Sequence, residues 1–287
     1  MTGGKIYLLG GWDGHIDMAD FWEFDIKTSQ WNCTSVDTSK EGGPTARSCH
    51  KICIDSSNRK IYLLVMPCAA LWGNIVLIYA FIQGGYIDPD LRSQVTLTCD
   101  FFVYHIDLRT WECISHDVHA DGGPELIYDH QMCMDSARQV IYVFGGRSIN
   151  TRSLNSSEDE YSGLYAFDVR RKTWRLIRND DGQPNYSIKL KSRIGHSMLL
   201  NPNEQALYIF AGQRNKEYLN DFFVYDIGAC SLFHFYLFTY LKLCDLQKTT
   251  TSSKRLATLA GMVVRSLGSP SAQLSIWIET RSMSCLV

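Results

Sequence analysis

Three histidines recur at equivalent places along the chain, and they are the residues with the clearest potential for chemistry. Each stands 12 positions before a tyrosine, in the pairs His50–Tyr62, His130–Tyr142 and His196–Tyr208. Histidine is a common metal ligand, and three related rings could share one ion if they pointed at a common axis. The alternative is that each ring packs beside a core strand and hydrogen-bonds to a backbone group. We favour this structural role and expect no metal and no cofactor.

The histidines belong to a longer pattern that recurs with them. Glycine follows the tyrosine at Gly145-Gly146 and Gly212, and an earlier pair stands at Gly10-Gly11. An aromatic residue then precedes a tryptophan by 7 positions, in the pairs Phe24–Trp31, Tyr104–Trp111 and Phe167–Trp174. A repeat of this kind dictates architecture more strongly than any single motif. We therefore interpret these residues as structural elements of a repeated fold.

Each repeat reads as four short strands rich in Tyr, Phe, Val and Ile and punctuated by Gly and Asp. In one unit the strands are expected at 129–134, 140–144 and 163–168, with a fourth beginning at Trp174. Four-stranded units of about 50 residues with a diglycine and a tryptophan are typical of β-propeller blades. The sequence thus predicts an all-β fold in which aromatic side chains fill the space between blades.

The pattern resembles the kelch repeat, and within that family it is most similar to muskelin-type proteins. The motifs that carry the resemblance are Gly10-Gly11-Trp12-Asp13-Gly14, Gly42-Gly43-Pro44, Arg47-Ser48-Cys49-His50-Lys51, Asp129 to Asp135 and Tyr218 to Phe223. The resemblance covers residues 3–64 and 85–227. It implies a kelch-type β-propeller, here incomplete, with about three to four four-stranded blades.

The blades are expected at 1–35, 44–115, 124–178 and 193–227, which together form a partial propeller over residues 1–227. The first begins at its second strand. In the last, Leu232 stands where the 7-residue spacing from Tyr225 requires a tryptophan. We therefore expect the repeat to end at 227 and residues 228–287 to form a poorly ordered, non-repeat tail.

Residues 65–84 depart from the pattern, because the diglycine of the second blade should fall at Val65-Met66. Three interpretations stay open. The segment is an insertion foreign to the fold, such as translated intron sequence, or Ile75–Ile82 replaces the strand Ile61–Leu64. Alternatively, the uncharged run Ile61–Gln83 is long enough to anchor the protein in a membrane. Pro67 and Gly73-Asn74 interrupt that run, and we do not expect a membrane span.

Composition narrows the functional classes. The formal net charge of −2 gives no basic footprint for nucleic acid. There is no visible signal peptide and no Cys-x-x-Cys pair, which favours reduced thiols and a cytoplasmic location. Cysteines recur at strand positions where other units have leucine, namely Cys33, Cys53, Cys113 and Cys133. We expect them to act as small core hydrophobes.

Motifs for catalysis are missing from the sequence. It contains no phosphate-binding glycine loop and no Gly-x-Ser-x-Gly elbow. Copper oxidases of kelch architecture use a cluster of His and Tyr with a modified Cys-Tyr pair. Here those residue types recur with the repeat, so an oxidase is a remote alternative and we expect no enzymatic activity.

Partner binding is expected on the loops that join second and third strands, since the strands themselves are used in packing. These loops are Trp12–Ala19, Tyr86–Cys99, Arg147–Ser162 and Gln213–Asn220. Tryptophan and arginine are enriched in binding hot spots, which selects the candidate residues Trp12, Asp13, Arg147 and Arg214.

The resemblance to muskelin-type proteins implies more than the residues themselves do. Such proteins are cytoplasmic interaction scaffolds that join a CTLH-type ubiquitin ligase complex and act in cell adhesion, the cytoskeleton or trafficking. They carry discoidin-like and LisH/CTLH regions before the propeller. Because no such stretch is expected in residues 1–287, membership of the complex is in doubt for this chain alone.

Overall fold

The computed structural model describes residues 4–48, 50–65, 99–148, 161–179 and 190–236. The strands form consecutive antiparallel sheets, each built from strands that are adjacent in sequence. This is the arrangement of propeller blades, and it confirms the predicted all-β fold of an incomplete β-propeller. We number the blades one to four in chain order.

Within the described ranges, blade one has three strands, and blades two to four have four each. Blade one contains β1 (Lys5–Trp12), β2 (Asp17–Asp25) and β3 (Gln30–Ser35). Blade two contains β4 (Lys51–Asp55), β5 (Lys60–Val65), β6 (Asp100–His105) and β7 (Thr110–Ser115). Blade three contains β8 (Ile127–Asp135), β9 (Val140–Ser148), β10 (Leu164–Asp168) and β11 (Thr173–Arg178).

Blade four contains β12 (Ser197–Asn201), β13 (Ala206–Phe210), β16 (Asp221–Asp226) and β17 (Ser231–Tyr236). A small hairpin of β14 (Gln213–Arg214) and β15 (Glu217–Tyr218) interrupts it between the second and third strands. The first strands β4, β8 and β12 contact one another in order, so they form the inner wall of the array.

Two expectations about blade four need correction. The strand β17 lies beyond residue 227, where we expected the repeat to end. Leu232 pairs with Tyr225 just as Trp174 pairs with Phe167, and it is buried. Leu232 and Leu164 belong to one core cluster, and Leu164 stands at the repeat position where the earlier blades have Phe21 and Phe101. Residues 237–287 lie outside the described residues.

The structure tests two of the three interpretations of the irregular segment at residues 65–84. Residues 61–65 belong to β5, which pairs with β4 on one side and β6 on the other. A membrane span that starts at Ile61, and a replacement of the strand Ile61–Leu64, are therefore both wrong. The rest of the segment, residues 66–84, lies outside the described residues. Among those that are described, no helix is long and apolar enough to cross a membrane.

Aspartates and one asparagine at strand ends have a clear local role in the turns of the blades. In the turn between β10 and β11, the Asp168 carboxylate accepts hydrogen bonds from the backbone of Arg170 at 3.0 Å and Arg171 at 2.9 Å. These bonds lower the pKa of Asp168. Lys172 then closes the turn with a φ of 53°. Asp25, Asp55, Asp135, Asn201 and Asp226 cap equivalent turns.

The hydrophobic core is divided into three clusters that follow the blade interfaces. Leu9 and Phe21 of blade one pack with Ile61 and Tyr104 of blade two. A second cluster joins blades two and three, and a third joins blades three and four. Cys53 and Cys133 are buried in these clusters as expected, whereas Cys33 is exposed. Blade one has no described neighbour on the side of Cys33.

Candidate protein-interaction site

The diglycines of blades one and three contact the next blade along the chain. Gly145 and Gly146 both have positive φ, 76° and 89°, which few side chains tolerate. A β-carbon on Gly145 would lie 2.5 Å from Cε1 of His196 in blade four. The Gly146 amide donates a hydrogen bond of 2.9 Å to the carbonyl of Arg193, and Gly11 does the same to Arg47. The glycines thus allow the start of the next inner strand to approach closely.

The repeated histidines face these glycines and are removed from solvent. His130 and His196 are 0% and 2% exposed, and His50 is half-buried. Desolvation lowers the pKa of His130 and His196 to about 3 and that of His50 to about 4, outweighing the opposing interactions with the backbone of Leu64, Arg193 and Leu9 respectively. Neutral imidazole therefore predominates at physiological pH.

The expected hydrogen bonds of the histidines are not found for the two buried rings. Within the described ranges, neither ring nitrogen of His130 or His196 has a well-formed hydrogen-bond partner. Instead, the His196 ring packs edge-on against Phe144, with 5.1 Å between ring centres. No group of three or more His, Cys, Asp or Glu residues is placed to hold a metal ion in the part of the chain that the structure describes.

The repeated tryptophans bridge each blade to the one before it. Trp111 contacts Phe21 with ring centres 5.5 Å apart, and Trp174 contacts Phe101 at 5.7 Å. The Gly-Gly-Pro connectors complete these contacts, since a β-carbon on Gly43 would lie 2.7 Å from Trp111. Trp31 occupies the same repeat position in blade one but is 50% exposed. The tryptophans are structural wherever another described blade covers them.

Sequence reasoning missed two buried ion pairs. The guanidinium of Arg47 forms a two-pronged contact with Asp100, at 2.7 and 3.2 Å, and Arg193 binds Asp221 in the same way. Both arginines are at most 1% exposed. Each guanidinium also lies over a phenylalanine ring. Arg47 is 5.7 Å from the centre of the Phe102 ring, and Arg193 is 5.2 Å from that of Phe223.

A signal for these pairs was present in the sequence. In blades two and four, an arginine stands three residues before the repeat histidine, and an aspartate stands four residues before the repeat aromatic, Tyr104 or Tyr225. Blade three has Ile127 and Gly163 at the two positions. The joint replacement of both partners is what a paired interaction predicts, but with only three complete units it was easy to overlook.

On the loop face, Trp12 and Asp13 lie apart from the other candidate residues, in blade one. Trp12 ends β1 and is 40% exposed. The Asp13 carboxylate accepts hydrogen bonds from the amides of His15 and Ile16, at 2.7 and 2.8 Å, which lower its pKa. The connection to β2 is therefore a tight capped turn of residues 13–16, shorter than the loop we expected.

Arg147 and Arg214 lie together around Tyr161, a residue that sequence reasoning did not single out. Arg147 bridges to Tyr161 through the backbone, while the Arg214 guanidinium lies 4.3 Å above the Tyr161 ring and donates to the Ser192 carbonyl at 2.7 Å. The Tyr161 hydroxyl accepts a 2.9 Å hydrogen bond from the Asn215 amide. Both arginines are in strands and half-buried, so they are ordered rather than loosely solvated.

This arrangement, which we call the Tyr161 cluster (Arg147, Tyr161 and Arg214), suits recognition rather than catalysis. The Arg214 guanidinium, held over the Tyr161 ring, can bind a carboxylate or a carbonyl with defined geometry, and Arg147 is joined to the same residue through the backbone. The nearby Tyr218 of β15 is 87% exposed and adds an apolar surface. Most of loops 86–98 and 149–160, which we also expected on this face, lies outside the described residues.

Known proteins share this repeat. Residues 68–236 match the KLHDC2/KLHL20/DRC7 Kelch-repeats domain, and residues 1–35 match the Kelch motif. The chain is similar to Mei4-dependent protein 6 of Schizosaccharomyces pombe, with 34% identity over 219 residues, 75% of this chain and 27% of the relative. It is also similar to Tip elongation aberrant protein 3 of the same yeast, with 29% identity over 124 residues, 43% of this chain and 10% of the relative. The chain thus spans about a quarter of the first relative and a tenth of the second.

Proposed function

Because the chain belongs to the kelch-repeat family, we propose that it is a non-enzymatic scaffold that binds other proteins through the loop face of its blades. The observation that carries this proposal is the Tyr161 cluster. It holds the Arg214 guanidinium over the Tyr161 ring and places Arg147 beside Tyr161 through the backbone, at the end of the blades where the variable loops emerge. Fold alone does not define function, so the proposal rests on this site.

The chemistry of the cluster favours a partner with an acidic or carbonyl-rich segment. Arg214 is pre-organised by its contact with Tyr161 and its bond to the Ser192 carbonyl, which reduces the entropy lost on binding. Trp12 in blade one offers a second, apolar contact on the same face. A partner that reaches both would extend across the inner ends of the blades.

The resemblance to muskelin-type proteins extends the proposal. We propose that the partners include subunits of a CTLH-type ubiquitin ligase, and that the protein acts in the cytoplasm in adhesion, cytoskeletal organisation or trafficking. The name of one relative refers to aberrant tip elongation, which agrees with a role in cell shape. We propose that contact with the ligase runs through the loop face.

The experiment is affinity capture with the tagged chain and with the variant Arg214→Ala, compared by quantitative mass spectrometry. Arg171→Ala is the matched control, because its exposed side chain pairs with Asp168 in the β10–β11 turn, at the opposite end of the blade. We expect one set of proteins to be lost with Arg214→Ala and retained with Arg171→Ala. Equal recovery with all three chains would contradict the loop-face function.

The ligase part of the proposal has its own test. The purified helical scaffold subunits of the complex are mixed with the chain and analysed by size-exclusion chromatography. Co-elution that Arg214→Ala abolishes is the expected result. If the subunits and the chain elute separately, this part fails while the scaffold function itself can still hold for another partner.

A further inference from the structure

The turn between β10 and β11 carries more positive charge than the equivalent turns of the other blades. Its central residues 170–172 are Arg-Arg-Lys, whereas the equivalent residues are Lys-Thr-Ser at 27–29, Asp-Leu-Arg at 107–109 and Gly-Ala-Cys at 228–230. The last residue of each triplet has a φ of 51–55°, whatever its type. The shape of the turn therefore does not require the three cations.

The outer strand β11 continues this positive surface. Residues 168–178 contain five basic residues and one acidic residue, a formal charge of +4 in a chain whose net charge is −2. The outermost strands of the other blades, β3, β7 and β17, contain neither lysine nor arginine. The excess of basic residues thus belongs to blade three, and we call residues 170–176 the basic rim.

Two cations of the basic rim are already paired. The Arg171 guanidinium lies 3.0 Å from the Asp168 carboxylate, and the Lys172 ammonium lies 2.8 Å from the Glu112 carboxylate of blade two. Arg170 and Arg175 are also exposed, but neither has an ion-pair partner in the part of the chain that the structure describes. These two guanidinium groups are therefore the charges open to a partner.

The strand β11 also has an open hydrogen-bonding edge. It is the outermost strand of its sheet and pairs with β10 alone among the described strands. Such an edge can add an extended segment through backbone hydrogen bonds. Charged residues also protect edge strands against uncontrolled association. However, β3, β7 and β17 are outermost strands too and lack basic residues, so protection alone does not account for the arginines of β11.

The side chains of β11 define the pattern of a matching segment. Successive residues of a strand point to opposite faces of the sheet. Arg175 is exposed on one face, and its neighbour Leu176 is 46% exposed on the other. A segment paired beside β11 alternates in the same way, so its acidic residues would adjoin Arg175 and its apolar residues would adjoin Leu176. An acidic polypeptide fits both faces, whereas nucleic acid would use only the charge.

We propose that the basic rim binds an extended acidic segment of another protein, in which acidic and apolar residues alternate. The segment adds to β11 as a fifth strand. Its carboxylates bind Arg175 and, in the adjoining turn, Arg170, while its apolar side chains cover Leu176. This site is separate from the Tyr161 cluster and goes beyond the loop-face function, so either can fail without the other.

The test is a fluorescence anisotropy titration of the full chain into a labelled peptide, Gly-Asp-Val-Glu-Val-Glu-Val-Gly. A second peptide has asparagine and glutamine in place of the acids, and a third has the same composition with all the acids before the valines. We expect saturable one-to-one binding of the alternating acidic peptide. The amide peptide should bind about tenfold more weakly, because it loses the charged hydrogen bonds. The block peptide should also bind more weakly, because it cannot match both faces of β11.

Variants of the chain locate the site. Arg170→Gln combined with Arg175→Gln should weaken the alternating peptide about tenfold and remove the difference between the acidic and amide peptides. Lys27→Gln is the matched control, because Lys27 is exposed at the equivalent turn position of blade one, and it should bind like the wild type. Hydrogen exchange should show new protection of the amides of residues 173–178 when the peptide is bound. Circular dichroism should show that the double variant remains folded.

Each other outcome overturns the proposal. Absence of saturation, or equal affinity of the acidic and amide peptides, means that the rim does not select carboxylates. Equal affinity of the alternating and block peptides, or protection at another strand, means that the segment does not add to β11. Tighter binding of a short oligothymidylate than of the alternating peptide means that the rim is a nucleic-acid surface instead.

Discussion

Blade three and its neighbours join their first and third strands in different ways. Blades two and four use the buried ion pairs Arg47–Asp100 and Arg193–Asp221. Blade three has Ile127, which is buried in the apolar cluster with blade two, and Gly163. All three sheets nevertheless have the same strand order. The blade shape is therefore set by the strand pattern and the aromatic core, while the ion pair adds a specific link that one blade does without.

The largest effect is expected where one partner of such a pair is removed. Asp100→Ala leaves the Arg47 guanidinium, which is 1% exposed, buried without its carboxylate. We expect a loss of about 3–5 kcal/mol in the free energy of unfolding. Urea unfolding followed by tryptophan fluorescence measures it.

The matched variant is Arg47→Ile with Asp100→Gly, which copies blade three into blade two. It should be more stable than Asp100→Ala alone, because no charge is left buried. If the double variant is less stable than the single one, the ion pair of blade two cannot be replaced by the residues of blade three. The two kinds of blade would then not be interchangeable.

The second effect tests whether a covering blade determines the role of the tryptophan. Trp174 packs against Phe101 of the preceding blade, whereas Trp31 is half-exposed at the same repeat position. Trp174→Ala should cost about 3 kcal/mol, at the lower end of the range for core tryptophans, because Trp174 is partly buried. Trp31→Ala should cost clearly less in the same unfolding assay. Equal losses would mean that the tryptophan acts within its own blade, through contacts such as Phe167–Trp174 and Phe24–Trp31.

The third effect concerns pH and the inner wall. Burial lowers the pKa of His130 and His196 to about 3, so both stay neutral in the folded protein while the unfolded chain binds protons below about pH 6.5. The two histidines therefore leave the free energy of unfolding unchanged above pH 6.5. They reduce it increasingly as the pH falls towards 3. One unit below the unfolded pKa, each histidine should reduce the free energy of unfolding by about 1.4 kcal/mol.

Urea unfolding at a series of pH values between 7.5 and 5 measures this slope. His196→Gln should make it shallower by about one proton, since one buried titrating group is removed. An unchanged slope in that variant would show that His196 binds a proton equally well in the folded and unfolded states.

The smallest effect is expected for an exposed ion pair, which serves as the reference for the buried pair Arg47–Asp100. Arg59 and Asp107 lie 2.7 Å apart, the same distance as Arg47 and Asp100, but their side chains are 51% and 65% exposed. Asp107→Asn should therefore change the free energy of unfolding by about 1 kcal/mol or less. A loss as large as that of Asp100→Ala would mean that burial does not distinguish the two pairs.

Spacing alone predicted the blades because aromatic residues, glycines and tryptophans recur wherever sheets must pack on sheets. It predicted blade one from its second strand onward, and the three strands of that blade agree. It failed at Leu232, since a rule that requires tryptophan ignores that the partner residue changes from phenylalanine to Leu164 in the same core cluster. Substitutions that compensate each other across a blade interface are visible only once the residues in contact are known.

The candidate binding residues were harder to predict for a related reason. Trp12, Arg147 and Arg214 were chosen by residue type and place in the repeat. Residue type could not reveal that Tyr161 brings Arg147 and Arg214 together, because Tyr161 is separated from each by a long connection in sequence. Local capping was equally invisible, so the Trp12–Ala19 loop was expected to be longer than the turn that Asp13 forms.

The contact between Gly145 and the His196 ring makes the blade array directional. The glycine side of one blade receives the histidine side of the next, so the two surfaces that meet are different. Interfaces of this heterologous kind repeat head to tail, and they close into a ring only when the rotation per unit divides the circle. The fit of a histidine against a glycine contributes to the angle between successive blades. That angle determines the number of blades that a closed ring of this repeat can hold.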